Sequence, residues 1–102
     1  MQRHFRGWEG SGCVLENMWT GIMGYTCDEW PHVGAVPGKE GRQWMMAGFN
    51  GGGMAMIFLT AKGLASMARD AISFAETGLP RVFETNEERL KLEAEKIVAE
   101  NR

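Results

Sequence analysis

The chain has 102 residues, room for one small domain and too few for a complete two-domain cofactor enzyme. Hydrophobic residues at 44% and charged residues at 24% place it with globular chains rather than disordered ones. With 11 Lys+Arg against 13 Asp+Glu the net charge is −2, which leaves no basic footprint for nucleic acid or an anionic membrane.

Met1 to Asn17 is rich in glycine and charge, shows no sustained period and reads as an irregular lead-in. No apolar run follows Arg3 and Arg6, so a secretory signal is not expected. The longest apolar run, Met54 to Leu59, is far shorter than the roughly 20 residues a bilayer span requires. Cys13 and Cys27 read as thiols, because nothing else points to an oxidising compartment. With His4 and His32 they show none of the close spacing of a zinc finger, so no metal site is expected.

Trp19–Thr26 carries aromatic and apolar residues and is predicted as a strand. Cys27–Pro31 breaks it, since Pro31 has no N–H and pushes Trp30 out of the helical region. His32–Val36 is a second short strand, and Pro37–Gly41 a strong turn signal. Gln43–Phe49 is a third strand, antiparallel to the second if the turn closes a hairpin.

Asn50-Gly51-Gly52-Gly53 follows at once, and then a helix from Met54 to about Ala75. Lys62, Ser66, Arg69, Asp70 and Ser73 fall on one face of that helix. Its first half has only Thr60 as a polar residue, the pattern of a helix buried all round. Gly63 in mid-helix forfeits about 1 kcal/mol relative to Ala, which close packing against another element would explain. Gly78 and Pro80 end the segment. Thr85-Asn86-Glu87-Glu88 fits a capping box and opens a charged helix running to about Glu100, with a narrow apolar stripe of Leu90, Ala94, Ile97 and Val98.

The informative unit is strand, glycine turn, apolar helix. Three glycines leave the backbone uncovered, and the first helical turn has orphan N–H donors with a partial positive charge. Together they suit an anion or an electron-rich carbonyl. The unit is neither a Walker A loop, since no Gly-Lys-Ser/Thr follows Gly53, nor a G-x-G-x-x-G fingerprint, since Asn50 and Met56 occupy positions that need glycine. A tight strand-to-helix turn with no ligand satisfies the same residues.

Trp19-Thr20-Gly21-Ile22-Met23-Gly24-Tyr25-Thr26, then Asp28, Pro31, Val33-Gly34 and Val36-Pro37-Gly38, resemble the distal part of FAD-dependent oxidoreductases of the D-amino-acid-oxidase-like superfamily. Ala47 to Met54 and Ala61-Lys62-Gly63-Leu64-Ala65 continue the likeness in order. Thr77-Gly78-Leu79-Pro80 and Glu87-Glu88-Arg89-Leu90 resemble the tail of fungal-type members. The likeness runs roughly from Phe5 to Leu90.

That resemblance implies that the glycine turn and the helix N-terminus approach the pyrimidine edge of a flavin, and that their amides stabilise the negative charge that grows there on reduction. Asn50, Gly51, Gly52, Gly53 and Met54 are then the cofactor-binding residues. Asp28 and Pro31 fall on the family's T-x-D-x-x-P block, in a supporting position near the cofactor. Many members carry a His in the glycine turn; Gly52 stands in about that place here, so no catalytic residue is assigned. The pyrophosphate-binding βαβ unit of the family is not in this sequence, so the chain reads as a C-terminal fragment without activity of its own.

The expected fold is therefore α+β, a piece of a FAD-binding domain. It should hold about three short antiparallel strands, a Gly-rich turn, one long helix of the buried type and a charged C-terminal helix. Residues 1–84 would be the oxidoreductase part and 85–102 the charged helix. The parent enzyme would oxidise an amine or amino acid by hydride transfer to FAD, in the cytoplasm or the peroxisome. The other class is a non-catalytic module that associates through the apolar helix, whose face should lie open to solvent.

Overall fold

The computed structural model of the chain describes residues 6–100. The first five residues, with His4, and the last two lie outside the described residues. The architecture is α+β and small. Strand β1 (His32–Ala35) and strand β2 (Trp44–Ala47) form an antiparallel pair, followed by helix α1 (Gly53–Asp70) and helix α2 (Glu87–Glu100). Two 3₁₀ turns, Phe74–Thr77 and Arg81–Phe83, connect the helices.

The hairpin forms as its turn residues dictate. Gly38 and Gly41 have φ of 74° and 72°, which glycine adopts without a Cβ penalty. Val36 donates to Gln43 O at 3.0 Å and Lys39 to Val36 O at 2.9 Å, closing the loop. The register places His32 opposite Ala47, Val33 opposite Met46, Gly34 opposite Met45 and Ala35 opposite Trp44. On its other side β1 receives a bond from Thr85 N to Val33 O at 3.0 Å, so the sheet is covered there by the chain entering α2.

The core is small. Val33, Met67, Phe74 and Phe83 are buried, ringed by half-buried Trp44, Met46, Met56, Leu64, Ile72 and Leu79. Helix α1 meets this core along one stripe that includes Met56, Thr60, Gly63 and Met67, at helical spacing. Thr60, 1% exposed, satisfies its hydroxyl by donating to Met56 O at 2.7 Å. A Cβ on Gly63 would lie 2.7 Å from Leu79 Cδ1 and 3.3 Å from Thr77 Cβ, so the close approach expected of this glycine is present.

Four expectations are corrected. Trp19–Thr26 is not a strand, and the sheet has two strands rather than three: a strand needs a neighbour for its N–H and C=O groups, and this segment has none beyond its last residues. The long helix stops at Asp70, not near Ala75. Ala71 turns left-handed at φ 54°, and Ser73 opens a new turn in which its amide and hydroxyl both donate to Glu76 Oε2, at 2.8 and 2.6 Å. Gly78, at φ 73°, ends that 3₁₀ turn.

The cap of α2 is Asn86, whose Oδ1 accepts from Arg89 N at 2.9 Å; Thr85 is spent on the sheet through its backbone, and its buried hydroxyl has no partner. Finally, the first half of α1 is not buried all round. Met54 is 94% exposed and Phe58 78%, so the apolar face is open to solvent, as expected of the fragment and of the module alike.

Candidate functional site

The glycine turn is built by Thr26 and Asn50. After β2 the chain turns left-handed at Gly48 (φ 70°), and a Cβ there would collide with Thr26 Cγ2. Asn50 and Gly51 are left-handed in succession, at φ 51° and 80°. Asn is one of the few side-chain-bearing residues that visits this region readily. Its conformation is fixed from both ends. Asn50 N donates to Gly24 O at 3.2 Å, and Oδ1 accepts from Thr26 N at 2.8 Å. Nδ2 donates to Gly48 O at 2.7 Å and to Thr26 Oγ1 at 3.0 Å. The end of the expected first strand is thus tied to the glycine turn, although it forms no ladder.

Gly52 donates to Phe49 O at 2.8 Å and becomes the N-cap of α1, with no side-chain cap and no acidic residue in the first turn. Among the described residues, the amides of Gly51, Gly53 and Met54 find no acceptor. The helix therefore begins with open donors at its positive end. The Tyr25 hydroxyl lies 3.9 Å from where a Cβ on Gly51 would sit, at the edge of the turn.

The five residues singled out from the sequence come together, but with different tasks. The amides of Gly51, Gly53 and Met54 are left unpaired. Gly52 uses its own to close the turn. Asn50 spends its side chain holding the turn in shape. Unpaired amides at the start of a helix are the kind of donor that an anion or an electron-rich carbonyl accepts from. A pyrophosphate has no counterpart: no second strand, glycine turn and helix unit occurs among the described residues.

A second polar cluster, which spacing alone did not reveal, stands where the Cys27–Pro31 turn meets α2. Arg89 Nε and Nη2 grip Asp28 at 2.7 and 3.0 Å, a two-pronged charge-assisted pair. Nη2 also donates to Trp30 O at 2.8 Å, and Nη1 to Glu84 O at 3.1 Å and Pro31 O at 3.3 Å. The guanidinium bonds beside Asp28 hold its carboxyl down at about 2. One turn further along α2, Glu93 Oε1 accepts from Cys27 N at 2.7 Å and lies 3.6 Å from His32 Nε2.

His32 is 4% exposed with neither ring nitrogen hydrogen-bonded. Burial, reinforced by the Arg89 charge, holds its pKa below the ordinary histidine value. Partial burial and the Glu93 carboxylate hold the Cys27 thiol above its ordinary value, so it is a protonated thiol rather than a thiolate nucleophile. The only signal for this cluster in the sequence was the co-occurrence of Asp28, Pro31 and the Glu87–Leu90 tail in one resemblance, which gave order but no contact.

A cleft of about 320 Å³ runs beside Gly34, Pro37, Met67, Phe74 and Thr85, and none of Asn50–Met54 lines it. Among the described residues no three His, Cys, Asp or Glu side chains are placed to hold a metal ion, and no helix is long and apolar enough to cross a membrane. Comparison of the chain with family models, with curated proteins and with solved structures finds no match.

Proposed function

We propose that the glycine turn and the start of α1 form the flavin-facing element of an FAD-dependent oxidoreductase of the D-amino-acid-oxidase-like kind, one that oxidises an amine or amino acid. The observation that supports this reading is the row of open amides on Gly51, Gly53 and Met54 at the positive end of an 18-residue helix. When bound, the flavin supplies the acceptor for a hydride leaving the carbon that bears the nitrogen. The chain's part is electrostatic. The three amides face the carbonyl on which negative charge grows, and the dipole of α1 adds to them. Asn50 and Thr26 keep the donors aimed before the ligand arrives, so little reorganisation is needed.

Titration with FAD and with lumiflavin, followed by the flavin visible band, tests this reading. Both ligands should give a saturable shift of similar affinity, because no pyrophosphate contact contributes. Met54→Glu places a carboxylate among the open amides, and Met54 is too exposed for the change to disturb packing. That variant should weaken binding by about three- to tenfold, while Met54→Gln leaves it unchanged. Absence of any shift, or equal binding by Met54→Glu, overturns the reading.

A second reading, a non-catalytic association module, is favoured by the open apolar face of α1, where Met54, Ile57 and Phe58 lie on one side. A discrete oligomer that unfolds cooperatively and ignores flavin would select it.

A further inference from the structure

Helix α2 is docked without joining the core. None of its side chains belongs to the buried cluster or to the half-buried ring around it. Leu92, Ile97 and Val98 stay half or more exposed. Apart from half-buried Leu90, what holds it is polar: Arg89 on Asp28 and on three backbone carbonyls, and Glu93 on the Cys27 amide. An element fastened this way has a low-energy undocked alternative, since few apolar contacts oppose its release.

The fastening does not stop at the Cys27–Pro31 turn. Trp30 O, which accepts from Arg89 Nη2 at 2.8 Å, also accepts from Thr26 Oγ1 at 3.0 Å. Thr26 Oγ1 in turn accepts from Asn50 Nδ2 at 3.0 Å, and Asn50 fixes the glycine turn. A continuous run of hydrogen bonds thus joins α2 to the turn, from Arg89 through the Trp30 carbonyl and the Thr26 hydroxyl to Asn50.

We propose that Arg89 is a positioning residue for the Asn50–Gly53 turn, and that docking of α2 sets how firmly the turn's open amides are aimed. The statement rests on the reading of that turn as the ligand-facing element, but the coupling itself needs no ligand to be measured. Docked α2 supplies the guanidinium that fixes the Trp30 carbonyl. The fixed carbonyl orients the Thr26 hydroxyl, so that its lone pair is presented to Asn50 Nδ2. Undocking frees the carbonyl, so the Thr26 hydroxyl is less firmly oriented and its bond to Asn50 Nδ2 weakens, while Gly24, Gly48 and the Thr26 amide still hold Asn50. A partner or modification that displaces α2 would then loosen the turn from a distance, which is coupling between two sites through one two-state element.

Amide hydrogen exchange by NMR on the full chain tests this, with Thr60–Met67 of α1 as the internal control for folding. In Arg89→Gln the amides of Asn50 and Gly52 should exchange about tenfold faster, together with those of α2, as loss of a charge-assisted bond implies. Arg89→Lys, which keeps the charge but not the fork, should behave like Arg89→Gln. Thr26→Val should speed Asn50 and Gly52 alone and leave α2 protected, and Thr26→Ser should restore them. In the Thr26→Val background, Arg89→Gln should add nothing at the turn.

Unchanged exchange at Asn50 and Gly52 in Arg89→Gln, with α2 loosened, overturns the proposal, as do additive effects of the two changes. Should Arg89→Gln also lose protection in Thr60–Met67, Arg89→Lys decides, because it keeps the charge beside Asp28 while losing the fork, and Thr26→Ser is the matching control that keeps the hydroxyl. Failure of flavin to bind would leave these exchange rates untouched, so the two readings fall separately.

Discussion

Gly63 shows how a single absent Cβ sets the geometry of the core. In an exposed helix, Ala in its place would gain about 1 kcal/mol of propensity. Here the added methyl meets Leu79 Cδ1 at 2.7 Å, Leu79 Cγ at 3.1 Å and Thr77 Cβ at 3.3 Å. Leu79 can swing its tip, but Thr77 is pinned by its bond to Phe74 O at 2.6 Å. Overpacking of this kind runs to about 1–3 kcal/mol, so Gly63→Ala should destabilise the chain by roughly 1 kcal/mol net. Urea unfolding of the two proteins measures it; a stabilised variant would mean that the 3₁₀ segment yields. The need for a close neighbour at Gly63 was legible in the sequence, because a mid-helix glycine asks for one. The identity of that neighbour was not, since Leu79 reaches Gly63 only through the left-handed turn at Ala71 that ends α1 early.

At the scale of elements, the junction of β1 with α2 carries an acid-sensitive group. The folded state holds His32 below its ordinary value of 6.5, chiefly by burial and next by Arg89, while Glu93 and Asp28 pull the other way. Unfolded chains therefore bind the proton more readily, and the stability from keeping His32 neutral is complete above about pH 6.5 and lost as the pH falls below it. Asp28, held at about 2 by Arg89, makes its own contribution above pH 3.8 and loses it only in stronger acid, so the two windows are separate. His32→Leu should abolish the loss below pH 6.5 and leave stability at neutral pH equal or higher, since neither buried ring nitrogen makes a hydrogen bond and Glu93 stands off at 3.6 Å. Denaturant midpoints at pH 5 and pH 8 decide it, and an unchanged pH slope in the variant would refute it.

Both strands of the hairpin and both helices could be read from turn chemistry and period. What escaped was the contact between Asp28 and Arg89, 61 residues apart, because two charges in a sequence carry no distance. The Trp19–Thr26 segment failed as a strand for the complementary reason: aromatic and apolar composition describes what a strand would bury, not whether a neighbour is there.

Over the whole molecule the apolar helix likewise lacks neighbours for much of its surface. The period of α1 correctly gave a helix with too much apolar surface for one face. The structure covers the stripe through Met56, Thr60, Gly63 and Met67 and leaves Met54, Ile57 and Phe58 uncovered. The radius of gyration is 19.0 Å, against about 13 Å for a compact chain of 100 residues. Surface of this kind drives association, so the chain should self-associate, and Phe58→Glu should shift it toward monomer. At 78% exposed, Phe58 contributes little to the fold, and the substitution should cost under about 0.5 kcal/mol. Light scattering after gel filtration reads the first effect, circular dichroism the second; equal oligomeric states in the two proteins would count against the apolar face as the contact.

The long exposed run before the first strand also shapes the thermodynamics of unfolding. Val14, Leu15, Met18, Trp19 and Ile22 already face water in the folded chain, so unfolding hydrates them no further. The heat-capacity increment should fall below the usual 12–15 cal/mol/K per residue, and the denaturant slope with it. A small increment flattens the stability curve, so this protein should lose little stability on cooling and melt over a broad range of temperature.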